Sequence, residues 1–262
     1  MAYTQILIEL QGPVGILTLN RPEKRNALSW ELREELMQAI AQLGKEAAVK
    51  ALVITGKDPA FCAGIDLQSV QHSKLTLSEH RRFLRLMQTR RVLALREMEK
   101  PIIAAVNGPA MGGGCEIALA CDLRLASERA VFGESFMNVG LVPDGGGTFL
   151  LPRVIGLGPA LEMLLTGKSV DSQEAFRLGL VSKVVPHENL MEQAINLAKK
   201  LALGPSVAIG LIKRNVYKGL ALDFDSELEL EADAFAHCSQ TEDFREGVQA
   251  ILEKRKPQFS GR

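Results

Sequence analysis

Pro109-Ala-Met-Gly-Gly-Gly-Cys-Glu-Ile-Ala-Leu-Ala-Cys-Asp122 is the stretch from which the rest of the chain is read. Three consecutive glycines lead at once into residues that can be helical, with one carboxylate, Glu116, on the first turn. Glycine lets a backbone come close to a ligand and adopt positive φ. A helix starting there leaves its first N–H groups without internal partners and turns a partial positive charge on whatever lies in front of them. The combination suits a developing negative charge with an acid or base beside it.

The chain around this stretch has 262 residues, enough for one large domain or a domain with a small appendage. It is 47% hydrophobic, and its 31 basic and 31 acidic residues cancel, so nothing global points to nucleic acid or a membrane surface. Aromatics are few, which disfavours a base-stacking surface. The four cysteines, Cys62, Cys115, Cys121 and Cys238, form no Cys-x-x-Cys pair, and none of the four histidines stands at ligand spacing from one. We expect buried thiols in a reducing compartment and no metal site. No basic leader with a long apolar run and no membrane-spanning stretch is visible, so a cytoplasmic protein is expected.

Ile6–Leu10 and Gly15–Leu19 read as a hairpin about Gly12-Pro13. Ser29 offers a helix cap, and Leu28, Leu32, Leu36, Ile40 and Leu43 recur at helical spacing. Ala51–Thr55, Pro101–Val106, Asp122–Ala126 and Ala130–Phe132 read as strands, and a long helix is expected over Leu77–Met98. From about Gly158 helical patterns dominate through Ile251, broken at Gly167, at Gly179 to Pro186 and at Gly204-Pro205. The tail is expected to pack on the core or on a neighbouring subunit.

Several common sites fail on inspection. Thr166-Gly-Lys-Ser169 ends like a phosphate loop, but Glu162 stands where that loop needs glycine. No Gly-x-Gly-x-x-Gly joins a strand to a helix, and no Gly-x-Ser-x-Gly elbow is present. Three segments remain: Asn20-Arg-Pro-Glu-Lys-Arg-Asn-Ala-Leu28, Phe61-Cys-Ala-Gly-Ile-Asp-Leu67, and the glycine run continued by Phe132-Gly-Glu-Ser-Phe-Met-Asn-Val-Gly-Leu-Val-Pro-Asp-Gly-Gly-Gly-Thr148. Each alone is unremarkable, as a solvated loop, a strand-to-helix connection and a tight turn.

In this order and spacing they resemble the crotonase family, the enoyl-CoA hydratase/isomerase superfamily. The similarity runs from Leu17-Thr-Leu-Asn-Arg-Pro through Lys100-Pro-Ile-Ile-Ala-Ala-Val-Asn-Gly108 and Leu151-Pro-Arg153 to Glu253-Lys-Arg-Lys-Pro-Gln-Phe259. The resemblance implies an α/β fold: a spiral of β-β-α turns over residues 1–200, with a helical region over 201–262 that assembles trimers or hexamers. It implies an acyl-coenzyme A substrate, with coenzyme A entering as part of that substrate and no separate cofactor. By motif position the backbone N–H groups of Ile65 and Gly113 would hold the thioester oxygen as it gains enolate charge. Removing one such donor raises a barrier by ~3–4 kcal/mol. Arg25, Ala27 and Leu28, with Ala63, Gly64, Asp66 and Leu67, match contacts to coenzyme A; Gly112 and Phe136 would line the site. Phe259 would reach a neighbour's ligand.

The acid and base are where the chain departs from the family. A typical hydratase has two glutamates; Glu116 matches the first, but Phe136 stands at the second, and Glu134 lies two residues earlier. Such an offset turns a side chain elsewhere unless the strand is irregular, so Glu134 is not expected to substitute. Asp144, in Leu141-Val-Pro-Asp-Gly-Gly-Gly147, stands where double-bond isomerases of the family carry an acid. Pro-Asp-Gly is also ordinary turn chemistry. Glu116 and Asp144 are thus the catalytic candidates, and burial would raise a carboxyl pKa toward neutrality. Isomerisation needs one base and hydration needs a water held between two groups, so moving a double bond along an enoyl-CoA is favoured, with hydration of a 2-enoyl-CoA the alternative. A distant alternative is a non-catalytic acyl-CoA binder, or RNA binding through Arg81, Arg82, Arg85, Arg90, Arg91 and Arg96. Zero net charge makes a solvated helix face the plainer reading of those arginines.

Overall fold

A computed structural model describes residues 3–70, 75–86 and 90–262. The chain opens with the expected hairpin. Strands β1 (Ile6–Gln11) and β2 (Val14–Leu19) pair antiparallel across Gly12-Pro13, with Ile6 opposite Leu19. Helix α1 (Trp30–Lys45) begins where Ser29 predicts: the Leu32 N–H donates to Ser29 Oγ at 3.1 Å. Strand β3 (Ala51–Gly56) then pairs parallel to β2. After the short α2 (Leu67–Val70) come α3 (Leu77–Leu84) and α4 (Arg90–Glu97). The single helix expected over Leu77–Met98 crosses residues 87–89, which lie outside the described residues.

The chain continues through β4 (Ile102–Val106), β5 (Ala110–Met111), α5 (Gly113–Ala120), β6 (Leu123–Ser127) and β7 (Val131–Gly133). Next come α6 (Gly147–Ile155), α7 (Leu157–Thr166), β8 (Ser169–Asp171), α8 (Ser172–Arg177), β9 (Lys183–Val185) and α9 (Leu190–Ala202). Helices α10 (Ser206–Gly219), α11 (Phe224–Ser239) and α12 (Glu242–Leu252) finish the chain. The region expected to be mainly helical also holds two strands. β9 falls in the break predicted between Gly179 and Pro186 and closes the edge of the main sheet.

That sheet runs β1-β2-β3-β4-β6-β9, parallel from β2 onward; a smaller one runs β5-β7-β8. Alternation along the buried strands feeds two cores. Leu52 and Ile54 of β3 face α1, packing with Leu32, Leu36 and Ile40, while Val53 joins Leu190, Ala194 and Ala198 of α9. Each fully buried Leu or Ile stabilises by ~1.5–3 kcal/mol. This sandwich holds the carboxyl ends of β3 and β4 rigidly, and the glycine-rich turns leave the sheet there.

The tail is tied down through α10. Lys213 Nζ lies 2.9 Å from Asp122 Oδ2 and donates to the Leu95 and Lys100 carbonyls, and the Tyr217 hydroxyl donates to Asp122 Oδ1 at 2.6 Å. Among the described residues no single helix is long and apolar enough to cross a membrane.

Candidate active site

Two loops meet edge to edge beside the start of α5. The Cys62 N–H donates to the Pro109 carbonyl at 3.1 Å, and the Met111 N–H returns to the Cys62 carbonyl at 2.9 Å. A third segment clamps the first loop: Leu28 N–H donates to Gly64 O at 2.7 Å, Asp66 N–H to Leu28 O at 3.3 Å and Ala63 N–H to Arg25 O at 2.9 Å. This parallel bridge between Leu28 and Ile65 uses the Gly64 carbonyl and the Asp66 N–H that flank Ile65, and not the Ile65 N–H itself. Among the described residues neither the Ile65 N–H nor the Gly113 N–H donates a hydrogen bond.

Glycine is required where the loops touch. Gly64 has φ +89°, and a Cβ there would lie 2.6 Å from the Met111 carbonyl oxygen and 3.6 Å from the Gly113 nitrogen. Gly112 has φ +49°, and a Cβ on it would touch the Phe136 ring at 3.5 Å. A cavity of about 90 Å³ opens between them, lined by Gly64, Ile65, Gly112, Gly113, Phe136 and Val139, with Ala63 and Leu67 at its wall. The predicted glycine-turn residues thus converge on one small cavity at the N-terminus of α5.

The remaining predicted contacts are spread wider. Arg25 is exposed at φ +50°, Ala27 is half-buried beside it, and Leu28 is buried behind Gly113. The Asp66 carboxylate is committed to Arg21 at 3.1 Å, while Arg21 also donates to Ala27 O at 2.6 Å, so Asp66 braces the turn. Asn26, missed in the sequence, is the other brace: its side chain bonds the Arg21 N–H and the Lys57 and Ala60 carbonyls. Phe259 packs near Gly247 and Phe244, away from the cavity of its own chain.

Glu116 is fully buried one turn into α5. Its Oε1 accepts from the Gly145 N–H at 2.7 Å and the Gly147 N–H at 3.0 Å, while Oε2 has no hydrogen-bond partner among the described residues. Burial, and then the charge of half-buried Asp144, raises its pKa to about 7, against the two amides and Arg91. One oxygen is pinned and the other is open to a proton near neutrality.

Glu134 corrects the sequence reading. It is fully buried, and a Cβ on Gly147 would stand 2.9 Å from its Oε2, so its carboxyl faces the same loop that grips Glu116. The strand β7 ends at Gly133 and Glu134 adopts φ −93°, ψ 68°, the irregularity that defeats a two-residue offset argument. Among the described residues the Cys115 thiol is the one side chain set to hydrogen-bond the Glu134 carboxyl. Burial, then Glu116, pushes its pKa to about 9, so it is a carboxylic acid at neutral pH.

Two cations were also missed. Arg33 and Arg91 are 1% and 0% exposed, which removes Arg91 from the solvated face expected for the arginine-rich segment. Arg33 continues the buried stripe of Leu36, Ile40 and Leu43, and Arg91 keeps phase with Leu95, so helical spacing held the signal.

The family model for enoyl-CoA hydratase/isomerase matches residues 9–262. The chain belongs to the enoyl-CoA hydratase/isomerase family. It is 41% identical to a crotonyl-CoA hydratase of Syntrophomonas wolfei, over 99% of both chains. It is 37% identical to a short-chain-enoyl-CoA hydratase of Clostridium acetobutylicum, over 98% of this chain and 97% of that one. The solved structure of an enoyl-CoA hydratase from Bacillus anthracis superposes with a TM-score of 0.92 at 36% identity, covering 99% of this chain and all of that one. The crotonase fold expected from the motifs is therefore the fold of the chain. As a member of the hydratase/isomerase family it is an enzyme, and buried Phe136, 6% exposed, stands on the cavity wall where the second hydratase glutamate was sought.

Proposed function

We propose that the chain moves a carbon–carbon double bond along an enoyl-CoA by proton transfer through a thioester enolate. The observation that carries this reading is the Phe136 ring against the Gly112 turn: a hydrocarbon beside the two unused amides, where hydration would want a second group to hold water. In a 3-enoyl-CoA the thioester oxygen accepts from Ile65 and Gly113. Glu116 Oε2 takes the proton from C2, and the electron pair spreads over C2, C3, C4 and the thioester oxygen. The same proton returned from Glu116 to C4 leaves the 2-enoyl isomer and regenerates the Glu116 carboxylate, with the Asp144 charge acting beside it. Preorganised amides are worth most where negative charge develops in a dry site, and a base poised near neutrality can both take and return the proton. The thioester supplies the acidity, so this chemistry needs no metal or redox cofactor.

Hydration of a 2-enoyl-CoA is the second reading. It is favoured by the clustering of Glu116, Glu134 and Asp144 and by the similarity to a crotonyl-CoA hydratase. A panel of 3-enoyl- and 2-enoyl-CoA thioesters followed by mass decides. Unchanged mass with a shifted double bond is expected; gain of one water as the main reaction overturns it. As part of the same proposal the chain works as a homo-oligomer, a trimer or a pair of trimers, in the cytoplasm.

A further inference from the structure

The cavity between the two glycine turns takes one functional group of a substrate and not a whole ligand. At about 90 Å³ it is far below the ~300–1,000 Å³ of a pocket that encloses a small molecule. Its wall is glycine backbone and the hydrocarbon of Ala63, Ile65, Leu67, Phe136 and Val139, with one difference. Among the described residues that line it, Ser135 alone carries a polar side chain. The register of the small sheet puts it there. Strands β5 and β7 pair with Met111 opposite Gly133, and the Gly112 N–H donates to the Gly133 carbonyl at 2.7 Å. The chain leaves β7 at once into a short 3₁₀ helix, Ser135–Val139, which brings Ser135 and Phe136 side by side over Gly112. A Cβ on Gly112 would stand 3.8 Å from Ser135 Oγ and 3.5 Å from the Phe136 ring.

The fold itself makes no use of this hydroxyl. A serine where a helix begins ordinarily serves the backbone as a cap, yet this helix has no side-chain cap hydrogen bond. Among the described residues Ser135 makes no side-chain hydrogen bond at all. The Ile65 and Gly113 N–H groups, which donate to nothing, belong to residues lining the same small cavity. We propose that the Ser135 hydroxyl is a third donor to the thioester oxygen, a catalytic residue that holds the enolate beside the amides of Ile65 and Gly113. This rests on the proton-transfer reading and adds a side-chain donor to it. The Oγ–H bond stays whole: it donates a hydrogen bond while C2 gives its proton to Glu116 and negative charge gathers on the oxygen. The two amides are fixed in direction, whereas a hydroxyl rotates about its Cβ–Oγ bond and can follow the oxygen as carbonyl becomes enolate. The Phe136 ring beside it excludes water from that spot, and a hydrogen bond to developing charge is strongest where the surroundings are dry.

The test is S135A in the full-length protein, assayed on a 3-enoyl-CoA. Its kcat is expected to fall at least about tenfold with KM within about twofold, the split left by losing a contact made in the transition state. Its melting temperature should match the wild type. S135C, a weaker donor of nearly the same size, should fall between the two. Difference infrared spectroscopy of bound hexanoyl-CoA, labelled at the thioester carbonyl, gives a readout that a packing role would not move. The carbonyl stretch should lie at lower frequency in the wild type than in S135A. A wild-type kcat in S135A, or a stretch that does not move, overturns the inference and leaves proton transfer standing. A wild type that converts neither 3-enoyl- nor 2-enoyl-CoA overturns the proton-transfer reading itself. Should S135A not fold, the stretch in S135C decides: a frequency above that of the wild type supports the third donor, and an equal one overturns it.

Discussion

At the scale of single residues, two neighbouring carboxyls, Glu116 and Glu134, are held very differently. Glu116 has one oxygen fixed by two amides and a pKa near 7. In the proposed reaction its ionised form is the base, so wild-type kcat/KM should fall below about pH 7 as it protonates, and E116Q should lose ~10²–10⁴-fold in kcat/KM together with that acid limb. A pH profile of both proteins on one enoyl-CoA checks it; an unchanged limb in E116Q removes Glu116 from the role. Glu134 makes a separate prediction about stability. Its folded pKa is raised from 4.5 to about 9, so between those values the folded chain holds a proton that the unfolded chain has released. The protonated form's advantage is fully present below pH 4.5 and is lost as pH rises through about 9. Glu116 adds the same sign up to about 7. Denaturant midpoints should therefore fall from acid to alkaline pH in the wild type and fall less in E134Q; parallel curves for the two would place Glu134 in a wetter setting than the structure gives it.

At the scale of elements, the proposed reaction depends on two backbone turns meeting. Gly64 is held at positive φ with no room toward the Met111 carbonyl. G64A should cost about 1–3 kcal/mol of stability and lower kcat by roughly 10²–10³-fold as the Ile65 amide is displaced. Urea melts and steady-state kinetics read the two effects, and a G64A enzyme with wild-type kcat would sever the amide from the reaction. This junction was legible in the sequence because three segments, each ordinary alone, stand in the order and spacing of the family's motifs. The amphipathic α1 and the strands β2 to β4 were legible because their periods match their burial. Strands β8 and β9 were not. Each has only three residues, and Lys183–Val185 is a strand because the edge of β6 is open to it, a tertiary reason absent from its own pattern. Glu134, Arg33 and Arg91 were hidden for a related cause: residue type argued for the surface, and only helical phase or an irregular strand end argued against it. That buried charges escaped notice while buried apolar residues did not is what an interior built for chemistry would produce.

At the scale of the whole molecule, the two ends of the chain are stabilised differently. The sheet and its flanking helices bury their apolar faces within the chain. Helix α11 has no buried residue at all along Phe224–Ser239. Phe224, Leu228 and Phe235 recur on one of its faces and are 76%, 44% and 75% exposed, and Ile251 and Leu252 near the end of α12 are 77% and 78% exposed. A soluble surface rarely leaves so much contiguous hydrocarbon uncovered, and closed symmetry is the usual way identical chains cover it. Light scattering should therefore report a mass of three chains of 28.6 kDa, or twice that. Replacing Phe224 and Phe235 together with aspartate should place like charges on the covered face and shift the mass to one chain, with a lower melting temperature because the intersubunit burial is lost. A wild type that runs as a single 28.6 kDa chain at micromolar concentration would mean that α11 tolerates its exposure, and the helical tail would then need another reason for its apolar face.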